Sequence, residues 1–283
     1  MNFEYIQVKK VDLGGVTVHC VQSPETGEMV NAQLIETPRQ LVLIDTLQLV
    51  PHAEELKQYV ESLGKPLERI IITHQHPDHW MGAASFRGVP RYAFPEVIST
   101  IEYQADFLLD FHRKMHPDNP ELVPADKVLP TEAIEEGIFN LDGVRINLIK
   151  VLETECPINM AVELPDHSVL LAQDLVYNKV FPYFGERTQS GDFGFDNWIK
   201  VLQSFQAKGY QHVFPGHGDP TDASIFQTMI DYLDFVKGKI AEGQQGDDLV
   251  YSLKTQYPDY GLELTIYMSI YSLFNYRPQE GAW

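Results

Sequence analysis

The heptapeptide Thr73-His74-Gln75-His76-Pro77-Asp78-His79 is the stretch of sequence that decides the fold. It contains three histidines and one aspartate, and it follows directly on the apolar triplet Ile70-Ile71-Ile72. A buried β-strand that runs into a tight loop would let these four polar side chains converge at its end. Imidazole and carboxylate groups are ligands that Zn²⁺, Fe and Mn accept in proteins. The stretch therefore predicts a strand followed by a metal-binding loop.

The composition limits the classes of protein to which the chain can belong. Its 283 residues suffice for one large domain or two small ones, and 44% of them are hydrophobic. The formal net charge of −19 argues against nucleic-acid and anionic membrane partners, because both require clustered Lys and Arg. The two cysteines cannot form a disulfide framework, and neither a signal peptide nor an apolar run of membrane-spanning length is visible. We therefore expect a soluble, cytoplasmic protein.

Short apolar runs separated by turns predict two sets of strands, each followed by helices. Two such sets should form two sheets packed face to face with helices outside. We expect a single domain over residues 1–283, with a helical C-terminal region over about 222–283. Strands are predicted over residues 5–8, 16–21, 30–35, 41–44, 70–73, 144–151, 159–164, 169–172 and 212–214. Helices are predicted over residues 51–63, 95–112, 197–207, 224–240, 247–257 and 262–274.

The predicted helix over residues 95–112 has an apolar face and ends near two histidines. His112 and His116, near its end, have a spacing of four residues that can chelate a metal. We interpret this pair instead as the solvated end of the helix. The residues predicted for the core face of the helix are Val97, Ile101, Phe107, Leu108 and Phe111.

Three motifs, in this order along the chain, resemble the signature of the metallo-β-lactamase superfamily. They are His74-x-His76-x-Asp78-His79, then Asp174 after the apolar run 169–172, then His217 in Phe214-Pro215-Gly216-His217-Gly218. The resemblance extends over about residues 30–218. It implies an α/β fold, an αββα sandwich of two mixed sheets flanked by helices, with a two-metal site at one edge. The implied ligands are His74 and His76 for the first metal, Asp78, His79 and His217 for the second, and Asp174 between them.

One ligand that this resemblance implies is absent. Members of the family usually supply a histidine from a turn before the strand that leads to the bridging aspartate. Counting back 19 residues from Asp174 reaches Glu155 instead. Glu155 could ligate the first metal; it could lie out of reach, with Glu153 serving instead or the first site vacant; or it could be a structural hydrogen-bonding carboxylate. A carboxylate ligand would shift the metal preference toward Mn or Fe.

Further residues near the motifs each have two interpretations. Asp45 is expected either to hydrogen-bond a ligand histidine, as in the family, or to cap a helix. Cys156 is expected to be a buried structural thiol rather than a metal ligand. Five aromatic residues are expected either to line a pocket for an apolar or aromatic substrate group or to pack in the core. They are Trp80, Tyr177, Phe181, Tyr183 and Phe184.

The resemblance implies a metal-dependent hydrolase. A metal-bound hydroxide would attack an ester, lactone, thioester, amide or phosphoester, and Asp78 would help catalysis by orienting this nucleophile. We expect one or two divalent metal ions per chain, with zinc favoured and iron or manganese as alternatives. Two other functions stay open: a non-catalytic ligand-binding or regulatory protein with a weakened metal site, and an iron-dependent redox enzyme.

The apolar segment 266–274 predicts a buried helix near the end of the chain. We expect this helix to pack on its own domain as part of the pocket roof, with a homodimer interface as the alternative. The expected partner is a small-molecule substrate that carries an apolar or aromatic group, and we expect no nucleic-acid or membrane partner.

Overall fold

The structure is a computed structural model that describes residues 2–275. These residues form two compact units. Unit 1 comprises residues 2–149 and 162–167, and unit 2 comprises residues 150–161 and 168–275.

The secondary structure follows the predicted alternation of strands and helices. The strands are β1 (Gln7–Asp12), β2 (Thr17–Gln22), β3 (Asn31–Glu36), β4 (Leu41–Ile44), β5 (Leu67–Ile71), β6 (Arg91–Ala93), β7 (Glu132–Ala133), β8 (Gly137–Leu141), β9 (Val144–Leu152), β10 (Ile158–Leu164), β11 (Val169–Asn178) and β12 (His212–Gly218). The α-helices are α1 (Val50–Ser62), α2 (Pro77–Trp80), α3 (Pro95–Met115), α4 (Phe195–Gln206), α5 (Ser224–Ala241), α6 (Gly246–Gln256) and α7 (Leu264–Phe274).

The first sheet lies in unit 1 and has seven strands in the order β1 to β7. The strands β1 to β4 are antiparallel neighbours, whereas β4 to β7 pair in parallel, so the sheet is mixed. Every side chain of β4 is buried, as expected for an interior strand. Because β4 and β5 are parallel, their carboxyl ends meet at one edge. Asp45 follows β4 at this edge, and residues 73–79, the candidate metal-binding motif, follow β5.

The second sheet has five strands in the order β12-β11-β10-β9-β8, with β11 parallel to β12 and β8 antiparallel to β9. The prediction that β11 ends at Ala172 is wrong, because this strand continues through Asp174 to Asn178. Its pairing with β12 shifts register on both sides of Gln173, whose φ is +51°. Such an irregularity changes the direction of the side chains without ending the strand.

The two mixed sheets with their flanking helices confirm the predicted fold class. The sequence patterns missed β6, β7 and β8. The strands β6 and β7 have three and two residues, and β8 has no fully buried side chain. Strands this short or this exposed carry too few apolar residues to show a period of two.

Helix α3 exposes two of the residues predicted for its core. Phe107 is 69% exposed and Phe111 is 41% exposed. The buried stripe passes instead through Val97, Ile101, Ala105, Leu109 and His112, at the spacing of three to four residues that a helix requires. The prediction failed because it selected the largest apolar residues rather than the most regular spacing.

Helix α7 buries one face within unit 2. Ile266 and Ile270 are fully buried, and the hydroxyl of Thr265 donates a hydrogen bond to the carbonyl of Phe181 at 2.6 Å. This helix therefore packs within its own unit, as predicted. Residues 276–283 of the predicted C-terminal helical region lie outside the described residues. Over residues 2–275, no helix is long and apolar enough to cross a membrane.

Candidate metal centre

The metal-binding motif lies in the loop after β5 and in the short helix α2. His76 is the N-cap of α2 and has an extended backbone, which the following Pro77 favours. His74, Asp78 and His79 are buried, and His76 is half-buried. The ring of His74 lies with its centroid 4.9 Å from that of His76 and 4.2 Å from that of His79. The turn thus gathers three imidazoles into one cluster.

Asp45 supports two of these histidines from the end of β4. Its Oδ2 lies 2.8 Å from Nδ1 of His79, and it accepts a hydrogen bond from the Thr73 hydroxyl at 2.8 Å. The oxygen of this hydroxyl lies 3.0 Å from Nδ1 of His74. Both histidines are therefore held through Nδ1, which leaves Nε2 as the atom for a ligand. The N-cap of α1 is Leu49, so the helix-capping interpretation of Asp45 is wrong.

The environment of Asp45 is closed to solvent. Burial raises the pKa of its carboxyl group, while the charge of His79 and hydrogen bonds from Thr73 oppose that shift. On the far side of His79, Nε2 lies 3.3 Å from Oδ2 of Asp78. The imidazole of His79 thus has one carboxylate that orients it and a second carboxylate beside its ligand atom.

Asp174 and His217 lie on the neighbouring parallel strands β11 and β12 of unit 2. Oδ2 of Asp174 lies 3.3 Å from Nε2 of His217, and it accepts a hydrogen bond from the hydroxyl of Tyr177 at 2.8 Å. The ring of Tyr177 stacks on the imidazole of His217, with centroids 4.9 Å apart and planes 6° apart. Tyr177 therefore orients both residues. This position of Tyr177 was not predicted from the sequence, although the spacing of three residues from Asp174 was visible.

Gly216 lies against the carboxylate of Asp174. A Cβ atom at this position would be 1.7 Å from Oδ1 of Asp174 and 2.9 Å from its backbone nitrogen. Real Cβ atoms do not approach other atoms so closely, so any side chain here would displace the aspartate. This contact explains why the residue before His217 is a glycine.

Glu155 lies in the turn between β9 and β10. It is 1% exposed, and one of its carboxylate oxygens lies within 4.8 Å of a carboxylate oxygen of Asp174. Glu153, by contrast, accepts a hydrogen bond from the backbone N–H of Gln189 at 3.1 Å, on an exposed loop. Of the two carboxylates, Glu155 is thus the one that joins Asp174.

The other candidate residues have structural contacts. Cys156 is buried, as predicted, and its Sγ lies 3.2 Å from the carbonyl of Ile158. Burial and then the nearby charge of Glu155 raise the pKa of this thiol, which disfavours the thiolate that a metal requires. Trp80, Phe181 and Phe184 are at most 2% exposed, so burial favours core packing over a pocket wall.

His112 is a residue whose environment the sequence analysis misjudged. It is buried rather than solvated, and its Nδ1 accepts a hydrogen bond from Nε2 of Gln48 at 3.1 Å. Burial lowers its pKa to about 4, although the charge of Asp78 opposes the shift. The signal that could have identified it was the spacing of three to four residues that runs from Ile101 through Ala105 and Leu109 to His112.

The chemistry of the two groups of side chains fits a divalent metal. Unit 1 holds three imidazoles and one carboxylate within a single turn, and unit 2 holds two carboxylates and one imidazole. Nearly all of these groups are buried, and imidazole and carboxylate are the ligand types that divalent metals accept in proteins. The donors are His74, His76, Asp78 and His79 in unit 1, and Glu155, Asp174 and His217 in unit 2.

Several known proteins resemble this chain in sequence. A sequence model of the metallo-beta-lactamase superfamily matches residues 26–217. A linear primary-alkylsulfatase of Pseudomonas sp. (strain ATCC 19151) is 22% identical over 219 residues, which are 66% of this chain and 41% of that protein. The uncharacterized protein YobT of Bacillus subtilis (strain 168) is 33% identical over 92 residues, which are 32% of this chain and 37% of that protein. The chain thus spans about two fifths of the length of these curated relatives.

Solved structures share the fold. A metallo-beta-lactamase from Pontibacter korlensis has a TM-score of 0.59 and 21% sequence identity, over 81% of this chain and 99% of that chain. At this level of identity the likeness concerns the fold alone.

Proposed function

The chain belongs to the metallo-β-lactamase superfamily, and on that basis we propose that it is a metal-dependent hydrolase. The observation that carries the proposal is the environment of His79, with Nδ1 held 2.8 Å from Asp45 and Nε2 presented 3.3 Å from Asp78. A histidine held in this way has the orientation that metal sites require. A purely structural histidine would not need a second carboxylate beside its other nitrogen.

The proposed site holds two metal ions, with zinc as the favoured metal. When bound, the metals would supply Lewis-acid activation of the substrate and of a water molecule. The carboxylate of Glu155 replaces a neutral imidazole at the first metal, so this site carries more negative charge than a histidine-only set. On the resemblance to the superfamily, the proposed ligands are His74, His76 and Glu155 at the first metal, Asp78, His79 and His217 at the second, and Asp174 between them.

Other residues of the chain have proposed supporting roles. Asp45 keeps the Nδ1 proton of His79 in place, so that Nε2 stays available as a ligand atom. Tyr177 donates to Asp174 and thereby fixes the direction of its other carboxylate oxygen. Asp78 orients the attacking water and accepts its proton. These roles require no side chain to move.

The proposed substrate is an ester. The support is the sequence similarity to a linear primary-alkylsulfatase, whose name describes a protein that acts on alkyl sulfate esters. Carboxylic esters, lactones and phosphoesters present a similar polarised oxygen to a metal site, so they belong to the same panel of test substrates.

The test combines metal analysis with a substrate panel. Wild-type protein loaded with zinc should bind two equivalents, Glu155→Ala one equivalent, and Glu155→His two. Glu153→Ala is the matched control, because its carboxylate accepts a hydrogen bond from the Gln189 backbone, and it should retain two equivalents.

Two results would contradict the proposal in different ways. Equal metal content in wild type and Glu155→Ala would show that Glu155 is not a ligand. If the fully loaded wild type cleaved no linear alkyl sulfate, carboxylic ester, lactone or phosphoester, the hydrolase proposal would be rejected.

A further inference from the structure

Helix α3 carries an exposed apolar stripe along one face. Four large residues follow each other at intervals of four: Tyr103 is 92% exposed, Phe107 69%, Phe111 41% and Met115 53%. The rings of Phe107 and Phe111 stack with centroids 6.2 Å apart. Single exposed apolar residues are ordinary, but a contiguous aromatic row on one helix face indicates a binding surface. We call these four residues the α3 stripe.

The α3 stripe borders the metal-binding motif within unit 1. Gln104, next to Tyr103, donates a hydrogen bond from Nε2 to the carbonyl of Gln75 at 3.1 Å. Gln75 stands between His74 and His76. The helix that carries the stripe therefore contacts the loop that carries His74 and His76.

A second residue of α3 also lies near the motif, beside the third residue of the stripe. His112, whose ring meets that of Phe111 edge to face at 5.4 Å, lies within electrostatic range of Asp78. The aromatic part of the stripe from Tyr103 to Phe111 extends about 12 Å along the helix axis, since each residue rises about 1.5 Å.

The charges beside the stripe restrict what can bind there. Glu102, Asp106 and Asp110 are exposed and form a parallel acidic row one position away. Lys127 pairs with Asp106 and Lys114 with Asp110, so two of the three carboxylates are neutralised. The surface thus has no excess of positive charge to bind an anionic membrane or an anionic chain, whereas an uncharged apolar chain needs none.

A second copy of the chain fits this surface less well. Three aromatic side chains bury about 150–250 Å² each when fully covered, and those of the stripe are already partly covered. The exposed remainder falls well below the roughly 800 Å² per partner of a stable interface.

We propose that the α3 stripe binds the uncharged apolar tail of the substrate while the scissile ester lies at the metal-binding motif. Phe107 and Phe111 are the specificity-determining residues, and the substrate class is esters with a long alkyl or acyl chain. This inference rests on the proposed hydrolase function. It places substrate specificity on exposed residues of α3 rather than on the buried aromatic residues that follow the ligands.

The experiment uses the metal-loaded full-length protein with Phe107→Ser and Phe111→Ser. Both side chains are exposed, so these changes should preserve the fold. Tyr251→Ser on α6 is the matched control, because Tyr251 is a 73% exposed aromatic residue in unit 2. Binding of the neutral apolar probe N-phenyl-1-naphthylamine, followed by fluorescence, requires no catalysis. The ratio of kcat/KM for p-nitrophenyl octanoate to that for p-nitrophenyl acetate measures selection for chain length.

Each stripe variant should bind the probe about tenfold more weakly and lose about tenfold in the octanoate-to-acetate ratio, while the control changes neither. If no ester is cleaved but the stripe variants still weaken probe binding, the binding surface is supported and the ester hydrolysis fails. Probe binding and chain-length ratio equal to wild type in both variants would overturn the proposal. It would also be overturned if the variants changed only the mass in solution, from dimer to monomer, because that result identifies a second copy as the occupant.

Discussion

The carboxylate of Asp45 lies 2.8 Å from Nδ1 of His79, and both side chains are completely buried. The same carboxylate accepts hydrogen bonds from the backbone N–H and the hydroxyl of Thr73. Three donors thus converge on one anion at the end of β4. An aspartate satisfies this arrangement with four lone pairs, whereas an asparagine has only one acceptor oxygen and brings two donors of its own.

Asp45→Asn should therefore weaken metal binding by about 10–100-fold, because His79 loses its fixed tautomer and orientation. The measurement is competition for zinc with a chromophoric chelator at constant pH. Asp166→Asn is the control, since Asp166 forms a surface ion pair with Arg145. Unchanged zinc affinity in Asp45→Asn would contradict the role of Asp45 in holding His79 for a metal.

Gly216→Ala should reduce the metal content, because its Cβ would lie 1.7 Å from Oδ1 of Asp174 and must displace that carboxylate. Gly238→Ala on α5 is the matched control, since a Cβ there meets nothing within 4 Å. Alanine in an exposed helix interior should stabilise the protein by up to about 1 kcal/mol. Elemental analysis measures the metal content of both variants, and urea unfolding measures their stability. Full metal content in Gly216→Ala would contradict the position assigned to Asp174.

Tyr177→Phe should lower zinc affinity by roughly tenfold, because a hydrogen bond to a charged group is worth about 1.5–3 kcal/mol. The ring stacking on His217 is retained in this variant. Tyr232→Phe is the control: the Tyr232 hydroxyl is buried and has no hydrogen-bond partner among residues 2–275. Its removal should leave zinc affinity unchanged. If both variants bound zinc equally well, Tyr177 would have no role in holding Asp174.

The buried His112 should make stability depend on pH. Burial lowers its pKa from 6.5 to about 4, so between these values the unfolded chain binds a proton that the folded protein does not. The free energy of unfolding contributed by this group is fully present above pH 6.5 and falls as the pH drops toward 4, by roughly 3 kcal/mol. His112→Gln should remove this part of the slope. The measurement is urea unfolding from pH 4 to 7 with a metal chelator present, and an unchanged slope would contradict the assignment.

The ligand-type residues of the motif could be predicted because they follow a strand at short spacing. Asp45 was also visible at a strand end, but its partner was not. Asp45 and His79 are 34 residues apart in the chain and meet only because β4 and β5 pair in parallel. Glu155 and Glu153 were equally visible, and only the turn between β9 and β10 decided which carboxylate lies beside Asp174.

By itself, the sequence determined the order of the longer, more buried strands and of the long helices, and the positions of the ligand-type residues, because these follow from periodicity and spacing over a few residues. Only the tertiary structure decided which face of α3 is exposed, that Tyr177 holds Asp174, and that Gly216 leaves room for its carboxylate. These features depend on the direction of individual side chains and on neighbours that are distant in the chain. A strand irregularity such as that at Gln173 changes the direction of the side chains and the residues that they meet. No pattern of neighbouring residues in the sequence predicts such an irregularity.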